Sequence, residues 1–265
     1  MRATRRPRRT PTTPEGEQAK IEAREVEQWI DEGSLRDEAV AATDRAARPR
    51  REREDAAIDP EVVAEIHAAL DPQRAKRLSD RLAMASQALD RERFDEARRI
   101  TYALAKELPS VAAVHEVHGL ASYRMGRWKQ AAASLEAARQ LRSDPALLPV
   151  LADCYRALRR WLDVESVWRA VKGASPSHEV MTEGRIVYAG SLADRGDLKG
   201  AITFLLDAER APKRVREHHL RQWYVLADLY DRAGDAVAAS RWFREVAAAD
   251  ADFADVRERL RALGR

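Results

Sequence analysis

Five small residues, Ala97, Ala131, Val164, Ala201 and Ala239, recur at intervals of 34, 33, 37 and 38 residues. Each sits in a similar frame of large apolar neighbours. A period of this length restricts the fold to a stack of repeated supersecondary units. The frame is clearest over 223–243, where Trp223, Leu226, Ala227 and Tyr230 are spaced W-x2-L-A-x2-Y, followed by Gly234, Ala239 and Phe243. Upstream, Tyr188, Ala189 and Leu192 precede Gly196, Ala201 and Leu205. Leu151, Ala152 and Tyr155 precede Trp161, Val164, Trp168 and Pro176. Gly119 and Tyr123 precede Gly126, Trp128, Ala131 and Leu135, and Met84 and Ala85 precede Phe94, Ala97 and Pro109. Apolar residues at helical spacing on both sides of a Gly-type break predict two helices joined by a tight turn. No Val, Ile or Thr run alternates with period two, so the chain reads as all-α.

The physics follows from the residue sizes. Small residues at the crossing let two helices approach to roughly 8–10 Å. Glycine closes the first helix because it takes a left-handed conformation cheaply. One helix pair cannot bury its own apolar face, so each unit needs its neighbours. The pattern resembles the tetratricopeptide repeat (TPR), a helix–turn–helix unit of about 34 residues. The resemblance covers roughly residues 78–250, with repeats near 78–110, 112–143, 145–176, 179–213 and 217–250 and an amphipathic capping helix over 252–263. Glu92 and Arg159 depart from it by standing where glycine is usual, and His115 and His118 by standing where large apolar residues are usual. The resemblance implies a right-handed α-solenoid, a protein-binding role and no catalysis. In its richness in Ala and Arg the chain is similar to TPR proteins of bacteria with GC-rich genomes. The two longer intervals predict longer first helices or extended loops around 173–178 and 209–219.

Ahead of the array, residues 1–58 read as a basic tail, disordered at its start. Helical patterns follow at Ile21, Val26, Trp29 and Ile30, and after Gly33, where Ser34 and Asp37 form a capping box. A charged linker, 48–55, follows. Of the formal net charge of +3, residues 1–14 carry +5 through Arg2, Arg5, Arg6, Arg8 and Arg9, leaving −2 for the rest. Ordered structure begins at Asp59-Pro60, with further starts at Asp71-Pro72 and Asp144-Pro145. In each, Asp accepts from free first-turn amides and Pro needs no donor.

Chemistry is sparse. There is no P-loop and no G-x-G-x-x-G. His115-Glu116-Val117-His118 is one residue short of a helical zinc pair, and His178-Glu179-Val180-Met181-Thr182 has Thr in place of the second His. The lone Cys154 rules out an intrachain disulfide and suits a packing position. The adjacent His218 and His219, near Lys213, Arg214 and Arg216, read as a solvated helix start or a polar recognition patch. No cofactor and no metal are implied. No apolar run of about 18 residues predicts a membrane span. The twin arginines are followed by Pro-Thr-Thr-Pro rather than an apolar stretch, so a cytoplasmic protein is expected.

Stacked helix pairs line a concave face with their first helices. The pattern puts Tyr123, Arg124, Asp153, Arg156, Ile186, Tyr224, Asp228 and Asp231 on or near that face, where a peptide or helix of a protein partner would lie. Glu116 and Leu120 occupy places where a chaperone-tail clamp would need Lys and Asn, which disfavours that ligand. The alternative partner is nucleic acid, held through the five tail arginines, since a guanidinium pairs well with phosphate. The tail has no aromatic side chain to stack on bases, so such binding would be non-specific.

Overall fold

The computed structural model describes residues 58–208 and 212–264. The tail arginines, the helical patterns of 17–40 and the linker 48–55 lie outside the described residues. Within them are twelve α-helices and no strand. A leading helix, α1 (Pro60–Ala69), precedes five pairs. These are α2 (Pro72–Asp90) with α3 (Phe94–Glu107), α4 (Ala112–Arg124) with α5 (Trp128–Leu141), and α6 (Leu148–Ala157) with α7 (Trp161–Ala174). α8 (His178–Asp194) with α9 (Leu198–Ala208) and α10 (Glu217–Arg232) with α11 (Ala236–Ala249) complete the five, and α12 (Val256–Ala262) closes the chain. Asp59 and Asp71 cap α1 and α2 by accepting the amides of Glu61 and Arg74, at 2.8 and 3.0 Å. Asp144 caps a single 3-10 turn, Pro145–Leu147, that leads into α6.

The five turns are built alike. Glu92, Gly126, Arg159, Gly196 and Gly234 all have positive φ, between 56° and 86°. In each turn the next residue's amide donates to a carbonyl five residues back, as from Arg93 to Ala88, Arg127 to Ser122, Arg160 to Tyr155, Asp197 to Leu192 and Asp235 to Tyr230. These bonds satisfy carbonyls that the helix end would leave orphaned. The second helix then starts two residues after the positive-φ residue, and the small residue five positions after it, Ala97, Ala131, Val164, Ala201 or Ala239, is fully buried in every pair. The exceptions in the sequence, Glu92 and Arg159, adopt the glycine conformation at a steric cost. Arg159→Gly is expected to stabilise the chain by about 1 kcal/mol. In a thermal melt that is a rise of roughly 2–4 °C. An unchanged or lower melting temperature would contradict this account of the turn.

Each helix packs on the next, and the first helix of every pair also packs on the first helix of the pair that follows. The inner first helices α4 and α6 are therefore surrounded. Among residues 112–124 of α4 and 148–157 of α6, none is exposed. The second helices keep one exposed face. The longer intervals go partly into longer first helices: α8 has 17 residues and α10 has 16, against 13 in α4 and 10 in α6. The capping helix is shorter than 252–263, because 250–255 turns before α12 begins.

The apolar core runs in contiguous blocks along the array. Trp168 is its largest aromatic anchor in the middle. It stacks on Tyr188, with ring centroids 5.8 Å apart, and meets Phe204 edge-on at 5.6 Å. Gly184 makes room for it, since a Cβ there would lie 3.2 Å from the indole. Of the large residues in the repeat frame, Trp161 is only partly buried and Met84 is exposed.

Candidate interaction surface

The residues projected onto a concave face are mostly inside the protein. Tyr123, Asp153, Arg156, Ile186, Tyr224 and Asp228 are buried, and Arg124 and Asp231 are half-buried. Seven of the eight are joined by polar or ring contacts between helices, not held ready for a ligand.

The central group crosses three pairs. The Tyr123 hydroxyl on α4 donates to Asp153 on α6 at 2.7 Å. Arg156, one turn along α6, donates through Nε to the other oxygen of Asp153 at 2.7 Å and through Nη1 to Asp194 on α8 at 3.0 Å. Burial alone would lower the guanidinium's proton affinity, but the Asp153 and Asp194 carboxylates outweigh it and hold Arg156 charged. Gly190 leaves the space, because a Cβ there would stand 3.2 Å from Arg156 Nη1.

Two further links repeat the device. Glu183 on α8 and Arg221 on α10 form an ion pair at 2.6 Å with both side chains nearly inaccessible. Glu183 lies thirteen residues before the turn at Gly196 and Arg221 thirteen before Gly234, so the pair joins equivalent places on successive first helices. At the end of the array, Arg259 of α12 pairs with Asp228 and, at 3.2 Å, with Asp231, while the Tyr224 hydroxyl donates to Asp255. The capping helix is thus clamped by three of the residues assigned to a groove. Arg124 lies over the Phe94 ring, 4.4 Å from its centroid, and 4.0 Å from Glu92.

Over the inner pairs, what stays exposed lies mostly on the second helices and the turns, while α2 at the start of the array is also exposed along one side. The large apolar side chains exposed on the second helices include Tyr102 on α3, Leu141 on α5, Leu162 on α7, Leu206 on α9 and Val237 on α11, with Leu162 81% exposed. Arg127, Lys129 and Arg159, at the second and third turns, are exposed and form no ion pair with an acidic side chain among the described residues. Sequence reasoning missed this edge because it followed the first helices. The signal was present in Arg127-Trp128-Lys129 and Arg159-Arg160, two short runs at the second and third turns that hold cations or an aromatic.

The histidines do not form a metal centre. Among the described residues no group of three or more His, Cys, Asp or Glu side chains could hold a metal ion. His115 bonds the Pro109 carbonyl at 2.9 Å and His118 the Ser134 hydroxyl at 2.8 Å. Cys154 is fully buried, and burial, with the Asp153 carboxylate adding to it, pushes its thiol well above the ordinary range. That is the opposite of an activated nucleophile. No described helix is long and apolar enough to cross a membrane. Compared with family models, curated proteins and solved structures, the chain matches none.

Proposed function

We propose that this chain is a non-catalytic scaffold, an α-solenoid of the TPR kind that holds a peptide or helix of a protein partner. The observation that carries the reading is the five-fold turn, with one backbone geometry repeated at 33–38 residue intervals in an array whose units pack on their neighbours. Such arrays offer long surfaces made of many equivalent positions. The first-helix face is committed to internal pairing, so the partner is placed on the exposed second helices and turns. Affinity capture from the native cell tests this with two variants. Leu162→Asp/Val237→Asp is expected to lose a partner that Tyr224→Phe, which leaves the array folded, retains. Equal retention by both would contradict the outer surface.

A second reading has its own observation, the exposed Arg127, Lys129 and Arg159, which form no ion pair with an acidic side chain among the described residues, together with the five arginines of residues 1–14. In that case the protein associates with RNA phosphates. If the five tail arginines each meet a phosphate, log K for a single strand falls with log salt at a slope of about −3.5. Deleting residues 1–14 is expected to remove that slope. RNA affinity unchanged by the deletion and by salt would dispose of the nucleic-acid reading and leave the scaffold untouched.

A further inference from the structure

Three histidines and two tryptophans form one column of rings across the last two pairs. His178 opens α8 and stacks on His218 of α10, centroids 6.3 Å apart and planes 14° apart. His218 lies 4.1 Å from His219. His219 continues to Trp223 at 6.3 Å, and Trp223 to Trp242 of α11 at 6.4 Å. The column therefore touches α8, α10 and α11.

Two of its members work only when neutral. His219 Nδ1 accepts the backbone amide of Arg216 at 3.0 Å, tying down the start of α10. A protonated Nδ1 has no lone pair to accept with. His218 is 6% exposed. The charged and titratable groups around it are Glu179 on α8, whose carboxylate is 3.7 Å from His218 Nδ1, together with His178, His219, Arg216 and Glu217. His218 also sits in the first turn of a helix, where the dipole opposes a cation. Burial, then His219, push His218 down to about 4, with Glu179 opposing and His178 and Arg216 adding to the fall.

We propose that the His178–His218–His219 column is an acid-sensitive latch, holding the first turn of α10 against α8 at neutral pH and releasing it on acidification. The direction follows from where the proton binds better. An opened, solvated His218 titrates near 6.5, above its closed value, so protons favour the open form. Latch stability is complete above about pH 6.5, falls as the pH drops toward 4, and levels off below that. From His218 alone, the opening equilibrium rises about 30-fold between pH 7.5 and pH 5. The latch does not depend on which partner the array holds.

Hydrogen–deuterium exchange on the full chain at pH 7.5 and 5.0, corrected for intrinsic exchange rates, tests the latch. Peptides covering 212–222 are expected to open about 30-fold more at pH 5, while α6, which contains no histidine, keeps its protection. The variant His218→Leu/His219→Gln retains a side-chain acceptor near the helix start and removes the buried His218 ring. Its 212–222 segment is expected to change less than about 3-fold. Equal protection of the wild type at both pH values, or the same loss in the variant, overturns the proposal. Should the variant fail to fold, histidine proton resonances of the wild type decide, because a His218 that titrates near 6.5 would overturn it equally.

Discussion

Replacing Arg156 by alanine is expected to lower the unfolding free energy by about 3–5 kcal/mol, read from urea denaturation by circular dichroism. The cost comes less from the lost attraction than from what remains behind. Asp153 is 1% exposed, and without Arg156 it is a buried carboxylate held only by the Tyr123 hydroxyl. Asp194, on α8, loses its ion pair to α6. The double variant Asp153→Asn/Arg156→Met removes both charges and keeps most of the volume. It is expected to recover at least half of the loss, because a buried pair replaced as a unit costs far less than a broken one. If the single and double variants were equally unstable, Arg156 would be contributing packing alone. The single variant should also unfold over a broader urea range, since the link across three pairs is what makes them unfold together.

Trp168→Ala is expected to cost a similar amount, about 3–5 kcal/mol. The indole is seated between Tyr188, Phe204 and Gly184, and Gly184 has no side chain with which to fill the hole. Trp161→Ala is expected to cost less, since that side chain is only partly buried. The two tryptophans, seven residues apart on α7, make an internally controlled pair in one thermal or urea melt. Equal losses would mean that the cavity beside Gly184 collapses freely.

The backbone of this fold is legible in the sequence because its constraints are local. The small residue, the turn residue five positions before it and the large residues one turn away all lie within about 20 residues, and each states a steric requirement by itself. Asp59-Pro60 and Asp71-Pro72 are readable for the same reason. Even Glu92 and Arg159, which break the glycine rule, keep the turn, because packing on both sides fixes the left-handed conformation. The candidate site was less readable. Tyr123 and Asp153 are 30 residues apart, Tyr224 and Asp255 are 31 apart, and Arg156 and Asp194 are 38 apart. Each partner lies about one repeat away, on a helix whose register has to be known first. A polar residue on a first helix looks the same whether it faces solvent or an opposite charge on the next unit. Comparing equivalent positions would have helped, since Glu183 and Arg221 hold one place in consecutive units and carry opposite charge.

The ion pairs also limit how the array can be rearranged. The five turns are interchangeable as backbone, so a unit cut at one turn and rejoined at another would close correctly. The buried charges are not interchangeable. Asp153 is matched by Tyr123 before it and Arg156 beside it, Glu183 by Arg221, and Asp228 by Arg259. A unit moved one place along would bring an unmatched carboxylate or guanidinium into the interior. The charges act as an address, so that units built to one plan assemble in only one order.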